Sequence, residues 1–358
     1  MIYLDYQATT PLAPEAREAM LRWLGGPDSD TFGNPHSPHR MGRMAAAAVE
    51  AARENVAALF PPGGRVIFTS GATEALNLAI RGARYGPIAA STIEHAAVRD
   101  TARWLGTDTD LPVGPDGVID PQVPIPVGTQ MVAVMQVNNE IGTIQPVDAI
   151  AARTRANDTW LLVDAVQGAG RIAPPHGADL VAISAHKLHG PKGIGALWVR
   201  DGIELAPLIL GGGQEQGLRS GTLSPALIAG FGAAAALAAA RMAEDAAHVE
   251  TLWNRARDLF DGWLLNGSAD QRWRGNLNIR KPGLDVARLM SDCRTIMFSA
   301  GSACASGSGR PSHVLKAIGL TDREARSSIR LGFGRYTTAE EIETAAAAIN
   351  AAARSQGL

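Results

Sequence analysis

The sequence LVAISAHKLHGPKGIG, Leu180 to Gly195, joins a short apolar run to a cluster of small and polar residues and a glycine-flanked turn. An apolar run of about five residues between turn signals is typical of a buried strand. A similar order occurs earlier in RVIFTSGATEALNLAIRGA (65–83), PIAASTIEHAAVRDTARWL (87–105), MVAVMQVNNEIGTIQP (131–146) and TWLLVDAVQGAG (159–170). Strands that alternate with helices predict an α/β fold, in which a mostly parallel sheet is covered by helices on both faces.

The composition of the chain indicates a soluble globular protein. Its 358 residues leave room for more than one hydrophobic core, and 46% of them are hydrophobic and 19% charged. The formal net charge is -2, which offers no electrostatic footprint for nucleic acid. Because two cysteines are too few for a disulfide framework, we expect a reducing, cytoplasmic location.

The sequence predicts no membrane association. Its first residues, MIYLDYQATTPLAP, lack the basic and apolar regions of a secretory signal, so we expect them to belong to the fold. The uncharged run from Pro225 to Ala240 is rich in alanine and shorter than the roughly 18 apolar residues that a spanning helix needs. This run is interpreted as a helix packed inside the protein.

The alternating pattern ends near residue 224, which predicts a second domain. A helix is expected from about Pro225 toward Leu265, followed by strand-like stretches (GNLNIR, SSIRLGFGR) and helical ones (LDVARLMSD, AEEIETAAAAINAAARS). We therefore predict a large domain over 13–244 and a smaller α+β domain over 245–358. The run MIYLDY precedes the alternating pattern, so residues 1–12 are predicted to form an arm that joins the small domain.

Polar residues follow the predicted strands at the points where ordinary connections need only a turn. Ligands of parallel α/β sheets bind beyond the carboxyl ends of the strands, so these residues should face one crevice and one ligand. They are Ser70, Gly71, Ala72, Thr73, His95, Asn138, Asp164, Gln167, Ser184, His186 and Lys187.

The stretch TSGATEALN has two interpretations. Its small residues open a helix, so main-chain N–H groups, hydroxyls and the helix dipole would favour an anion such as a phosphate. Alternatively, Ser70 or Thr73 caps the helix and binds nothing. The stretch by itself does not decide between them.

Lys187 also has two interpretations, a surface-loop lysine or a covalently used amine, because an ammonium at a buried strand end is costly. Asp164 favours the second. A carboxylate at the end of the preceding strand can pair with a protonated pyridine nitrogen, which pyridoxal phosphate requires. The lysine, the aspartate and the helix turn together predict a pyridoxal 5'-phosphate site, and no metal site is predicted.

The motifs resemble those of the bacterial cysteine desulfurases of the NifS/IscS type over nearly the whole chain and in the same order. They are YLDYQATTP, FGNPHSPHRMG, TSGATEALN, VNNEIGTIQP, VDAVQ, SAHKLHGPKGIGALWVR, GGGQEQGLRSGT, SAGSACASGSGRPSHVLKAIGL and SSIRLGFGRYTT. This resemblance implies the aminotransferase-type (fold type I) pyridoxal phosphate fold, with a mostly parallel seven-stranded sheet and a smaller C-terminal domain, and it implies a homodimer.

The resemblance also implies a role for each candidate residue. Lys187 would bind the cofactor covalently and Asp164 would contact its pyridinium nitrogen. The other cofactor-binding residues would be Gln167 and Asn138 at the ring oxygen, His95 on the ring face, Ala72, Thr73, Ser184 and His186 at the phosphate, and Thr222 from the partner subunit.

The implied reaction removes sulfur from L-cysteine, leaving L-alanine and a persulfide on Cys304. That cysteine lies in FSAGSACASGSG (298–309), whose small residues suit a displayed thiol, although an inert thiol in a flexible connection is the alternative. Lys187 would act as base at Cα, with His95 as a proton-transfer partner. The persulfide would pass to an acceptor protein, an iron–sulfur scaffold or another sulfur carrier.

Two further residues are assigned to the substrate. Arg330 would bind the α-carboxylate through its planar guanidinium, the alternative being a structural ion pair, and Asn34 would lie nearby. Cys293 is interpreted as a partly buried small hydrophobe. The rival functions are a selenocysteine lyase, another class V enzyme acting on a different amino acid, and a catalytically silent scaffold with the same fold.

Overall fold

The computed structural model of the protein describes residues 1–83, 86–106, 108–301 and 311–358. Its strands are β1 (Ile2–Tyr3), β2 (Gly64–Thr69), β3 (Ile88–Ser91), β4 (Asp108–Leu111), β5 (Met131–Ala133), β6 (Trp160–Asp164), β7 (Leu180–Ser184), β8 (Gly195–Arg200), β9 (Leu264–Leu265), β10 (Asn276–Arg280), β11 (Ile296–Met297), β12 (Ser299–Ala300) and β13 (Ser328–Gly332). Its α-helices are α1 (Pro14–Leu21), α2 (Arg40–Ala57), α3 (Ala72–Gly82), α4 (Ala96–Trp104), α5 (Val147–Ala156), α6 (Pro225–Leu259), α7 (Val286–Asp292), α8 (His313–Ala317), α9 (Asp322–Arg326) and α10 (Ala339–Arg354).

Within the described residues, a seven-stranded sheet in the order β2-β8-β7-β6-β5-β3-β4 forms the centre of the larger part. The strands from β7 to β4 are parallel neighbours, whereas β8 is antiparallel to both β7 and β2. Alternate residues of β7 enter different hydrophobic clusters, Val181 and Ile183 on one face and Leu180 and Ala182 on the other. The predicted α/β class, with a mostly parallel sheet buried on both faces, is confirmed.

The C-terminal part contains a four-stranded antiparallel sheet in the order β12-β13-β10-β9. The amino-terminal arm contacts this part: Ile2 of β1 pairs with Ile296 of β11, and Leu4 lies in the same hydrophobic cluster as Ile329. These contacts support an arm that joins the C-terminal domain. The boundaries 1–12, 13–244 and 245–358 remain a prediction.

Helix α6 runs through both hydrophobic cores. Phe231 and Ala235 pack in the cluster beside the large sheet, and Leu252 and Ala256 pack in the C-terminal cluster. Among the described helices, α6 is the one long and apolar enough to cross a membrane. Its buried contacts show that it is a core helix. It ends at Leu259, earlier than the sequence predicted.

Candidate active site

The carboxyl ends of β6 and β7 open into a cavity of about 720 Å³. This position is where ligands bind in parallel α/β sheets. The cavity brings together most of the predicted site residues, namely Ala72, Thr73, His95, Asp164, Gln167, Ser184, His186, Lys187 and Arg330. Residues from distant parts of the sequence, from Ala72 to Arg330, therefore face one space.

Lys187 ends the short 3-10 helix Ala185–Lys187 that follows β7. Its Nζ donates hydrogen bonds to the main-chain oxygens of Gln7 at 2.5 Å and Ala8 at 2.7 Å. The amine is thus positioned by the amino-terminal arm, which also lines the cavity. Lys187 therefore lines a cavity at the end of a strand, which favours the second interpretation of this lysine.

Asp164 ends β6 and is 6% exposed. Its Oδ1 accepts a hydrogen bond from the main-chain N of Val166 at 3.0 Å. Burial raises the pKa of this carboxyl, while His95 and Lys187 oppose the shift. A cationic ligand atom in the cavity would stabilise the ionised carboxylate, as a pyridinium nitrogen does.

The turn before α3 is shaped to receive an anion. Among the described residues, no side chain caps α3, so the predicted capping by Ser70 or Thr73 is absent. A Cβ at Gly195 of β8 would lie 2.7 Å from main-chain atoms of Gly71, so only glycine lets the strand approach the turn this closely. Ser184, at the end of β7, lines the same side of the cavity.

The hydrogen bonds and surroundings of the two cavity histidines indicate where their protons lie. Nδ1 of His95 accepts a hydrogen bond from the main-chain N of Ala97 at 3.1 Å, which assigns the proton of a neutral ring to Nε2. Burial, with the nearby Lys187 and Lys192, lowers the pKa of His186 to about 4. His186 is therefore neutral at pH 7, and its Nδ1 lies 3.1 Å from Oγ1 of Thr9.

Arg330 lies on β13 and is 1% exposed. Its Nη2 donates to Oδ1 of Asp5 at 2.7 Å and its Nη1 donates to the main-chain O of Asn139 at 3.0 Å. Its Nε has no hydrogen-bond partner among the described residues. The guanidinium therefore forms the structural ion pair considered above and also lines the cavity.

Comparison with known proteins assigns the chain to a family. The family model described as Aminotransferase class-V matches residues 2–344. The chain belongs to the aminotransferase class-V family. It is 43% identical over 368 residues to the protein of Rickettsia bellii (strain OSU 85-389) named Cysteine desulfurase IscS, covering 96% of this chain and 89% of the relative. The corresponding protein of Rickettsia typhi (strain ATCC VR-144 / Wilmington) is 42% identical over the same shares.

Solved structures of similar class-V proteins agree. A structure described as a NifS-like protein superposes with a TM-score of 0.89 at 32% identity and covers 98% of each chain. The structure of SspA in complex with cysteine has a TM-score of 0.81 at 34% identity, covering 94% of this chain and 100% of that one. The resemblance inferred from the motifs is confirmed, and the fold is the fold type I of pyridoxal phosphate enzymes.

Asn138 is not placed as the sequence predicted for this class-V chain. Its side chain is 1% exposed and supports a turn, with Oδ1 accepting from the main-chain N of Glu140 and of Ile141, and Nδ2 donating to the main-chain O of Ile93. Asn139 lines the cavity instead. Because neighbouring side chains after a strand point in different directions, the pair NN alone does not reveal which member faces the ligand.

Two other predicted residues, among those that the structure describes, do not line this cavity. Asn34 is exposed, and its Oδ1 accepts from the main-chain N of His36 at 2.9 Å. Thr222 is also exposed, in the loop before α6. Its predicted site is the one in the partner subunit. Cys304 lies outside the described residues.

The amino-terminal residues Gln7, Ala8 and Thr9 also line the cavity and were not predicted from the sequence. Two of them act through main-chain oxygens on Lys187. Residue types do not reveal main-chain acceptors, so only the chain path could have identified them. Cys293, in contrast, is 4% exposed in the C-terminal core, and burial raises the pKa of its thiol, as fits a small hydrophobe.

Proposed function

We propose that this class-V protein is a cysteine desulfurase that uses pyridoxal 5'-phosphate to remove sulfur from L-cysteine, giving L-alanine and a persulfide on Cys304. The observation that carries the proposal is one cavity with an amine, Lys187, and a buried carboxylate, Asp164, in a chain 43% identical to a named cysteine desulfurase. The relatives support the enzyme class, and the residue roles are proposed from the resemblance together with the residues that line the cavity.

The donor set of the cavity fits pyridoxal phosphate. The cofactor needs a primary amine for its aldehyde, an acid for its ring nitrogen and an anion site for its phosphate. Lys187, Asp164 and the turn at 70–73 supply these three groups around one space of about 720 Å³. The neutral His186 would donate from its ring to a phosphate oxygen without adding charge.

When bound, the cofactor supplies an electron-withdrawing ring that stabilises negative charge developing at Cα of the substrate. Asp164 holds a proton on the ring nitrogen and so maintains that withdrawal. The amine of Lys187 takes the Cα proton, guided by the oxygens of Gln7 and Ala8. Nε2 of His95 carries a proton that can be donated within the cavity.

The sulfur transfer is assigned to Cys304 on the resemblance. Its thiolate attacks the sulfur of the bound cysteine, so an S–S bond forms while the substrate's Cβ–S bond breaks and its electron pair stays on the substrate carbon. Protonation of that fragment gives alanine. The persulfide sulfur then passes to a thiol of an acceptor protein, either an iron–sulfur scaffold or another sulfur carrier.

We also propose a homodimer in which Thr222 reaches the partner's cavity, and a cytoplasmic location. The exposure of Thr222 is compatible with this contact. The formal net charge of -2 gives no electrostatic attraction for nucleic acid. Among the described residues no cluster of three metal-ligating side chains occurs.

The proposed activity can be tested with the purified holoprotein and sulfur-labelled L-cysteine. We expect alanine and sulfide in the presence of a thiol reductant, and label bound to protein without it. L-selenocysteine and keto-acid acceptors serve as competing substrates. Activity with selenocysteine alone would favour a selenocysteine lyase, and amino transfer to a keto acid would favour another class V enzyme. Failure to bind pyridoxal phosphate would favour a silent scaffold.

Replacement of Arg330 with Gln should raise KM for L-cysteine about 10- to 100-fold, because a charge-assisted bond to the substrate carboxylate is lost. The same replacement also removes the ion pair between Arg330 and Asp5, which could itself change KM. Replacement of Asp5 with Asn breaks that pair and keeps the guanidinium, so it is the matched control and should change KM far less. Equal increases in the two variants would assign Arg330 a structural role only.

Glu74 faces the cavity and links the anion-binding turn to a distant loop. Its Oε2 accepts from the main-chain N of Ser70 at 2.8 Å, and its Oε1 accepts from Nε of Arg219 at 2.7 Å. Burial opposes ionisation of Glu74, but the hydrogen bonds from Arg219 and Ser70 outweigh it and lower its pKa. Arg219 therefore neutralises a carboxylate beside the phosphate position.

Replacement of Arg219 with Met should weaken binding of pyridoxal phosphate about 10-fold, because the carboxylate of Glu74 then repels the phosphate. The second replacement Glu74→Gln should restore most of the affinity in the double variant. Cofactor dissociation constants of the four proteins measure this coupling. A double variant weaker than Arg219→Met would contradict the charge-compensation argument.

A further inference from the structure

Arg171 lies behind the cavity and contacts two of the cofactor-binding residues. It follows β6 and is half-buried. Its Nη1 donates to Oε1 of Gln167 at 2.6 Å and to the main-chain O of Gln167 at 3.1 Å, and its Nη2 donates to the main-chain O of Lys187 at 2.7 Å. One guanidinium therefore joins the segment after β6 to the segment after β7.

The guanidinium is charged but forms no ion pair with the described carboxylates. Burial lowers the pKa of Arg171 to about 10, so the side chain still carries its charge at pH 7. It lies over the ring of Trp273, with 5.8 Å from Cζ to the ring centroid. Taking a guanidinium partly out of water without a carboxylate partner is costly, and the N–H groups of Arg171 donate to two site residues instead.

The contact with Gln167 fixes the orientation of an amide. A side-chain amide has an oxygen end and an NH2 end of nearly the same shape. A guanidinium only donates hydrogen bonds, so the atom that Arg171 meets must be the oxygen. The NH2 end then points away, and Nε2 donates to the main-chain O of Gln7 at 3.0 Å. Its second hydrogen is left for a ligand in the cavity that Gln167 lines.

The same network positions the reactive amine. The main-chain O of Gln7 accepts from Nζ of Lys187 at 2.5 Å as well as from Gln167. Arg171 donates to the main-chain O of Lys187. The amine and the amide donor are therefore fixed relative to one another through Arg171 and Gln7.

We propose that Arg171 is a positioning residue that directs the NH2 group of Gln167 to an oxygen on the cofactor ring and holds Lys187 in register with it. The inference rests on the proposed pyridoxal phosphate site. Without Arg171, the amide of Gln167 can reverse, which would aim an acceptor at an electron-rich oxygen. The donor would be lost although Gln167 itself is present.

Loss of the Gln167 donor should change the pH at which the visible absorption band of the holoprotein titrates. A donor to the ring oxygen stabilises its negative charge, so this oxygen holds a proton on the neighbouring lysine nitrogen less strongly, and the proton is lost at a lower pH. Arg171→Met should therefore raise the pH midpoint of the visible band by about one unit. The other titratable groups facing the cavity, Glu74, His95, Asp164, His186, Lys192 and Arg330, are unchanged in this variant.

A set of variants separates positioning from a structural role. Gln167→Ala should shift the midpoint in the same direction, and the double variant Arg171→Met/Gln167→Ala should shift it no further than the larger single shift. Gln167→Glu retains Arg171 but removes the N–H donor and should also raise the midpoint, which tests the donor role of Gln167 separately. Arg171→Lys, which keeps a cationic donor, should recover part of the wild-type midpoint.

Arg155→Met is the matched control, since Arg155 is an exposed arginine of α5. It should leave the midpoint unchanged. In Arg171→Met, kcat should fall about 10-fold with a smaller change in KM. An unchanged midpoint in Arg171→Met, or additive shifts in the double variant, would overturn this inference alone. A wild-type holoprotein with no lysine-dependent visible band would overturn the proposed function, and the inference with it.

Discussion

Replacement of Lys187 with Ala is expected to abolish the visible absorption band of the holoprotein and to lower the rate of alanine formation about 10⁴-fold or more. Two functions are lost at once, because the amine both binds the cofactor aldehyde and takes the Cα proton. The oxygens of Gln7 and Ala8 that hold Nζ accept hydrogen bonds but cannot form a covalent bond to an aldehyde.

The measurement combines the absorption spectrum with an alanine assay. Lys281→Ala is the control, since Lys281 lies over the ring of Trp263 in the C-terminal part and away from the cavity. It should retain both the band and the activity. A thermal unfolding temperature close to that of the wild type would show that Lys187→Ala is folded. Substantial alanine formation by that folded variant would refute the role given to Lys187.

The second large effect is expected from Cys304→Ser. Sulfide formation from L-cysteine should fall about 10³-fold or more, because a hydroxyl is a poor nucleophile toward sulfur. Cofactor binding should persist, since the amine, the carboxylate and the anion-binding turn are all intact. The spectrum should therefore still respond to L-cysteine. This combination separates the nucleophile from the residues that hold the cofactor.

Cys293→Ala is the matched cysteine control. Cys293 is buried among the C-terminal core residues and has a raised pKa, so its thiol is poorly reactive. This variant should retain desulfuration and lose about 1 kcal/mol of stability. Labelled sulfur should remain bound to Cys293→Ala and be absent from Cys304→Ser. The reverse distribution would move the persulfide to Cys293.

The strand ends could be predicted from the sequence because an apolar run followed by a polar residue leaves a local signal. Lys187 and Asp164 were identified in this way, and both line the cavity. Asn138 was predicted, whereas Asn139 lines the cavity. Two adjacent asparagines give the same signal in sequence, and only the turn geometry distinguishes them. The sheet class followed from the same local pattern.

Other parts of the site depend on contacts between distant segments. Gln7 reaches Lys187 and Gln167 through a main-chain oxygen, which every residue type possesses. Arg171 gave no signal in sequence because an arginine after a strand is usually solvated. Its role became visible only when its donors were seen to meet the oxygens of Gln167 and Lys187.

The length of α6 has a consequence for how the protein melts. This one helix contributes Phe231 to one hydrophobic core and Leu252 to the other. Unfolding of either core would therefore remove packing contacts from the other. We therefore expect the two cores to unfold together in a single cooperative thermal transition. A substitution that stabilises the middle of α6 should therefore raise the unfolding temperature of both cores together.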